Sequence, residues 1–200
     1  MLRLAVFASG RGSNLEAIYN SIVRGSLHDV ELALVISNNS NSGALAFAKA
    51  WNVKGIHLSL LKSGNDERKL ESEMLRILDE AEIDLIALAG YMKKLPAGVL
   101  DKYIGRIINV HPALLPEFGG AGMFGLNVHR AVIEARRKVS GATVHIVEGE
   151  YDSGAILLQR SCAVLENDTP ESLASKVTAI EHIILPQAIQ MIADKITGNP

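Results

Sequence analysis

Cysteine is nearly missing from this 200-residue chain: Cys162 stands alone, so no disulfide can form within it. A disulfide-stapled secreted scaffold is excluded, and a reducing compartment such as the cytoplasm is the expected location. Material for a metal centre is equally thin. One thiol cannot supply a thiolate set, and the six histidines (His28, His57, His111, His129, His145, His182) show no HxxxH or similar spacing, so no metal is expected. No apolar run approaches the roughly 20 residues of a membrane helix. Residues 1–7 lack the basic region, apolar core and small-residue cleavage site of a signal peptide, and they read better as a first strand. Charge of one sign is scarce too, with a formal net charge of −2 and a pI near 6.3. The densest basic run, Arg136-Arg137-Lys138, closes an expected helix, where cations suit the dipole. A nucleic-acid partner and a membrane partner are therefore not expected, while small phosphorylated substrates remain open. There is no GxSxG elbow for a serine nucleophile, and Cys162 sits in an apolar strand, where a core role fits it.

What is present is the composition of a globular chain. Hydrophobic residues make up 48% of it, and the length suffices for one domain with a substantial core. No internal repeat, low-complexity stretch or interdomain linker interrupts it. Short β-branched runs alternate with helical periods. Residues 2–8, 30–37, 55–59, 84–89 and 106–110 read as strands. Helical spacing covers 14–24, 44–51, 66–81 and a short stretch near 97–103. This repetition predicts a parallel sheet with helices on both faces. The last third differs: residues 142–148 alternate like a half-exposed strand, and 155–164 can pair with them across a turn. A long helix closes the chain, with Asp168 as cap, Pro170 in the first turn and Glu171 at capping-box spacing. Pro186 is expected to kink that helix or split it in two.

In an open parallel sheet, ligands bind beyond the carboxyl ends of the strands. Three loops stand out by that rule. Ser9-Gly10-Arg11-Gly12-Ser13-Asn14-Leu15 joins a strand to a helix and can aim N–H groups at an anion. Leu15 stands where a dinucleotide fingerprint needs its third glycine, and a nucleotide P-loop ending is absent. A monophosphate cradle survives these tests; a tight turn capped by Ser13 or Asn14 is the alternative. The second loop follows residues 107–111. Asn109 and His111 sit two apart on one side of a strand and could stabilise an oxyanion or move a proton, or His111 could be a hydrogen-bonded strand-end residue. The third, residues 148–154, is an acidic turn. It is either solvated or brings Asp152 to His111, where a carboxylate would orient the ring and raise its pKa.

Taken together, Asn109-Val110-His111-Pro112, Leu114-Leu115-Pro116, Gly141-x-Thr143-Val144-His145 and Tyr151-Asp152-x-Gly154 resemble the signature of the folate-dependent formyltransferases. Gly12-Ser13-Asn14-Leu15, Leu88-Ala89-Gly90-Tyr91-Met92 and Glu181-His182 narrow the resemblance to the branch that acts on glycinamide ribonucleotide. It runs in order from residue 1 to about 195. It implies an α/β, Rossmann-like three-layer fold with a mostly parallel sheet and antiparallel late strands. One domain over 1–200 would divide into a phosphate-binding part, about 1–100, and a folate-binding and catalytic part, about 101–200. The implied reaction transfers the formyl group of 10-formyltetrahydrofolate to the amine of glycinamide ribonucleotide in purine biosynthesis. Both substrates are small molecules, no metal takes part, and the assembly would be a monomer or homodimer. Gly12, Ser13 and Asn14 would hold the phosphate and Glu181 the ribose. Asn109, His111 and Asp152 would form the catalytic trio, with Asp152 orienting and charging His111. Folate would meet Arg68, Met92, Lys93, Lys94, Leu95, Arg106, Asn109, Glu148, Gly149 and Tyr151.

One stretch departs from the family pattern. Residues 117–125 form a longer passage than usual after Pro116, with four glycines in the last seven residues. It is read either as a mobile lid or as an insertion of one family branch, and it leaves contacts near Asn127 and His129 open. Among competing readings, a formyltetrahydrofolate hydrolase would carry an amino-terminal regulatory domain, whereas this chain begins directly with a strand. A tRNA formyltransferase would need a further carboxy-terminal domain. A decayed regulatory module would have lost the trio or the phosphate loop, and a dehydrogenase would need a glycine at Leu15.

Overall fold

The computed structural model describes residues 1–149 and 152–198. Strands that are apolar on both faces can be buried only between two helical layers, and that is where the chain puts them. β1 (Leu2–Phe7), β2 (Val30–Ser37), β3 (Lys54–His57), β4 (Leu85–Leu88) and β5 (Ile107–His111) run parallel. β6 (Val139–Ile146) and β7 (Ile156–Ala163) add antiparallel, giving a seven-stranded sheet of order β3-β2-β1-β4-β5-β6-β7. This is the expected mostly parallel sheet with antiparallel late strands. β6 starts three residues before the alternating stretch, because Val139, Ser140 and Gly141 pair with Ala163, Cys162 and Ser161.

Alternate strand residues feed two cores. On one face Leu4, Val6, Leu85, Ala87, Ile108 and Val110 pack under α1 (Ser13–Val23), α2 (Gly43–Ala50), α5 (Leu126–Glu134) and α6 (Pro170–Thr197). On the other, Ala5, Phe7, Leu34, Ile36, Ile86 and Ile107 pack under α3 (Glu67–Glu80) and α4 (Ala97–Lys102). The Arg136-Arg137-Lys138 run lies beyond α5 rather than in its last turn. Arg136 has a positive φ of 51°, and Arg137 pairs with Glu117 at 2.6 Å.

α6 runs unbroken through Pro186. Leu185, Ala188, Ile189 and Ala193 are fully buried around the proline, and that packing offsets the lost backbone hydrogen bond. The cap also shifts by one residue. Thr169 Oγ1 accepts from Ser172 N at 3.2 Å, while Thr169 N donates to Ser172 Oγ at 2.9 Å. Asp168 instead accepts from Leu165 N, Ser172 Oγ and Lys176, which hold its carboxyl near pKa 2. No helix among the described residues is long and apolar enough to cross a membrane.

Strand order reverses at β1, which has β2 on one side and β4 on the other. The connections leaving β1 and β4 therefore part there and open a crevice at the carboxyl edge. β5 ends beside it, with Asn109 paired in register to Leu88.

Candidate functional site

The loop after β1 is fixed by glycines. Gly12 has a φ of 86°, and a side chain there would press on Ala44 Cα at 3.0 Å. Across from it, a Cβ on Gly43 would lie 2.3 Å from the Arg11 carbonyl oxygen. Gly12 is the N-cap of α1, and no side chain caps that helix. Ser13 and Asn14 are therefore not caps, and first-turn N–H groups keep their capacity for an anion. Asn14 Nδ2 instead donates to Glu181 Oε2 at 2.9 Å, across 167 residues of sequence. Both side chains are buried, and Asn14 Oδ1 finds no partner among the described residues. Burial pushes the Glu181 carboxyl up to about 7, against the Asn14 hydrogen bond that lowers it. Two residues that the resemblance assigned to one ligand are thus in contact.

At the end of β5, Asn109 and His111 both reach Asp152. His111 Nδ1 lies 3.4 Å from Asp152 Oδ2, and Asn109 Nδ2 lies 3.5 Å from Oδ1. His111 is 3% exposed, and its Nε2 sits 2.8 Å from the Phe118 carbonyl oxygen. Both ring nitrogens face acceptors, which favours the imidazolium. Burial opposes it and prevails, so the His111 pKa falls below the ordinary histidine value despite Asp152 and Phe118; His145 lowers it further. The expectation that Asp152 keeps His111 charged is corrected accordingly: here Asp152 orients the ring but does not outweigh desolvation. Burial also pushes the Asp152 carboxyl up. The hydrogen bond to His145, the charge of His111 and the N–H of Gly120 together outweigh that and hold its pKa below the usual range. Asp152 itself adopts a φ of 55°, a strained choice for a residue other than glycine.

Residues 117–125 contribute backbone groups to this cluster. Besides the Phe118 carbonyl, Gly120 N donates to Asp152 Oδ2 at 2.9 Å. Gly119 packs so closely that a Cβ would lie 2.5 Å from Leu115 Cδ2 and 3.2 Å from Asp152 Cβ. Beyond the loop, Asn127 is exposed on α5 and its Nδ2 donates to Gly122 O at 3.4 Å. His129 is buried on the same helix with Nδ1 unpartnered among the described residues. Burial and the nearby His111 lower its pKa.

Two cavities share Tyr91, Lys93, Lys94 and Leu95 in their walls, and the smaller of them adjoins Asn109 and Asp152. The smaller, about 80 Å³, has Leu88, Leu100 and Val147 as apolar lining and Asn109, Asp152 and Gly149 as polar or backbone lining. The larger, about 910 Å³, reaches Arg68, Glu71 and the 38–40 turn. Of the expected folate residues, Arg68, Lys93, Lys94, Leu95, Asn109 and Gly149 line one or both. Met92 is half exposed, and its N–H donates to Ser9 Oγ at 2.8 Å. Arg106 lines neither cavity. It precedes β5, at the strand end away from the crevice, donates to the Lys102 carbonyl at 2.9 Å and stacks over Tyr103. Glu148 is exposed and lines neither. Tyr151 falls outside the described residues.

Sequence reasoning gave no role to His145. It is 2% exposed, with Nε2 3.2 Å from Asn109 Nδ2 and 3.4 Å from Asp152 Oδ1. Its Nδ1 sits 2.8 Å from the Ile146 carbonyl. Nδ1 thus faces an acceptor, while Nε2 lies between the Asn109 amide and the Asp152 carboxylate, where it donates or accepts according to the ring's protonation. The signal was the strand alternation that turns His145 inward. Tyr91 was also passed over; it packs edge-on to Phe7, and burial raises its pKa to about 12. Cys162 is half-buried on the edge strand with its thiol pushed up by burial, which suits no nucleophile.

The formyl transferase family profile matches residues 2–189. The chain belongs to the formyl transferase family. It is 36% identical over 193 residues to the chloroplastic phosphoribosylglycinamide formyltransferase of Arabidopsis thaliana, covering 96% of this chain and 66% of that protein. The chain thus spans just under two thirds of that plant relative's length. Glycinamide ribonucleotide transformylase 1 from Symbiobacterium toebii superposes with a TM-score of 0.90 at 35% identity, over 98% of this chain and 89% of that one. A formyltetrahydrofolate deformylase from Pseudomonas syringae pv. tomato shares the formyl transferase fold, with a TM-score of 0.86 at 24% identity over 97% of this chain and 62% of that one.

Proposed function

We propose that this chain transfers the formyl group of 10-formyltetrahydrofolate to the amine of glycinamide ribonucleotide, in the cytoplasm, as a step of purine biosynthesis. The observation that carries the reading is the meeting of Asn109 and His111 with Asp152, at 3.5 and 3.4 Å, beside a crevice that also receives the glycine loop. Family membership and relatives named for this reaction support it.

Gly12, Ser13 and Asn14 take the phosphate on the α1 amino terminus. Glu181 takes the ribose hydroxyls. The small cavity gives the folate head group an apolar wall of Leu88, Leu100 and Val147 beside Asn109, and Arg68, Lys93 and Lys94 suit a carboxylate tail. The neutral amine attacks the formyl carbon, a C–N bond forms, and negative charge grows on the formyl oxygen. Asn109 Nδ2 spends one hydrogen on a long 3.5 Å contact to Asp152. An oxyanion placed closer takes that hydrogen, which is electrostatic stabilisation by a donor already in place. In its imidazolium form, His111 keeps Nδ1–H on Asp152 and offers Nε2–H as a second donor once substrate replaces the Phe118 carbonyl. Asp152 holds the ring and receives the amine proton, directly or through water. The proton then passes to the departing folate nitrogen as its bond to the formyl carbon breaks. Holding the two substrates end to end supplies the proximity term.

The test is a spectrophotometric assay with a 10-formyl folate analogue, with and without glycinamide ribonucleotide. Deformylation that requires the ribonucleotide is expected. Deformylation at the same rate without it makes water the acceptor and overturns the transferase reading. No deformylation in either arm rejects glycinamide ribonucleotide as the acceptor.

A further inference from the structure

Ser9 lies two residues beyond β1 and stands where three crossover connections meet. Its hydroxyl donates to Asn38 Oδ1 at 2.5 Å and accepts from Met92 N at 2.8 Å. Its backbone N–H donates to the Gly90 carbonyl at 3.0 Å. One side chain therefore joins the glycine loop after β1, the 38–42 turn after β2 and the 90–96 segment after β4. The same turn is tied to the glycine loop a second time, because Asn39 Nδ2 donates to the Ser9 carbonyl at 3.5 Å, and α2 just beyond it adds a bond from Ala44 N to the Gly10 carbonyl at 3.4 Å. A hydroxyl with both its donor and an acceptor lone pair engaged is fixed in direction, so displacing one loop disturbs its bond to the other.

Under the formyl-transfer reading, on which this inference rests, these loops serve different substrates. The glycine loop holds the ribonucleotide phosphate and the 92–95 segment borders the folate site. We infer that Ser9 is a positioning residue that couples the two binding sites, so that ordering of the phosphate loop by the ribonucleotide pre-orders the wall against which folate binds. Ser9 is not among the residues the proposed function assigns to either substrate. Its contribution is a coupling between sites, and by linkage each ligand must tighten the other by the same factor.

The experiment is calorimetric binding of 5,8-dideazafolate, which carries no formyl group, with and without saturating glycinamide ribonucleotide. The ratio of the two dissociation constants is the readout. In the wild-type protein the ribonucleotide should tighten the folate analogue about fivefold or more, the lower end of ordinary coupling. In Ser9→Ala the ratio should fall toward one, and Ser9→Thr, which keeps the hydroxyl, should restore it. Asn38→Ala removes the group that aims the hydroxyl. It should lower the ratio in the same direction, and it serves as the test if Ser9→Ala does not fold. A residue with a merely structural role would weaken folate binding equally in both arms and leave the ratio unmoved. A wild-type ratio in Ser9→Ala, or a ratio of one in the wild-type protein, overturns the inference. Binding of neither ligand to the wild-type protein overturns the formyl-transfer reading itself, and the inference with it.

Discussion

The two ends of the crevice are prepared in opposite ways. At the phosphate end, Asn14 Oδ1 is buried without a partner among the described residues, α1 lacks a side-chain cap, and Glu181 is held near neutral pH. At the trio, Asn109 Nδ2, both ring nitrogens of His111 and both carboxylate oxygens of Asp152 are engaged with one another, with His145 or with residues 117–125. A buried group without a partner costs about 1–3 kcal/mol, a cost that a ligand removes on binding. An engaged group must exchange one partner for another. Under the proposed function, the glycine-loop end then serves affinity, and the trio serves interactions that strengthen only as charge develops.

Substitutions at the two ends should separate along that line. Asn109→Ala removes an oxyanion donor and should lower kcat by about 10²–10³ with the ribonucleotide dissociation constant little changed. Steady-state kinetics beside calorimetry decides this, and a loss confined to binding would place Asn109 among the binding groups. Gly119→Ala should come next. A Cβ 2.5 Å from Leu115 and 3.2 Å from Asp152 must move one of them, and a displacement of even ~1 Å can cost on the order of 10²-fold in rate. Unchanged kcat would mean that residues 117–125 yield without disturbing Asp152. Asn14→Ala sits at the other end and should weaken ribonucleotide binding by about tenfold, the value of one hydrogen bond to a charged group, while kcat at saturation holds.

The smallest effect concerns stability. The Glu181 carboxyl has a folded pKa near 7, above its unfolded value. The folded state therefore binds the extra proton between those two values, and stability falls as pH rises through that window. The contribution is complete below the unfolded pKa and gone above about 7. Glu181→Gln should flatten this dependence and raise the melting temperature at pH 8 relative to wild type, by the equivalent of about 1–3 kcal/mol at most. Parallel melting curves at pH 5 and pH 8 check it. The same substitution should weaken ribonucleotide binding, which ties the instability to the ligand.

Much of the sheet was legible because strand periodicity and apolar runs are local properties. The Asn109–His111 pair was legible for the same reason: residues two apart on a strand share a side. Asp152 could be suspected but not placed, since its approach depends on β6 pairing antiparallel with β5. That pairing sets Asn109 opposite His145, a register no local pattern carries, and so His145 went without a role. Ser9 was hidden by distance, with partners 29 and 83 residues away. Arg106 lines neither cavity because it precedes β5, whereas Asn109 and His111 lie further along the strand toward its carboxyl end. The cap of α6 went to Thr169 because Ser172 could reciprocate there, a choice that the Asp168 and Glu171 spacing did not reveal.

The central claim is that one end of the crevice binds and the other reacts, and Asp152→Asn tests it most directly. Its turnover and its ribonucleotide dissociation constant should be measured on one preparation. The account predicts loss of most turnover with the dissociation constant within about threefold of wild type, since the proposed phosphate site is the glycine loop and not Asp152. Near-normal turnover, or a loss of binding in proportion to the loss of rate, would contradict it.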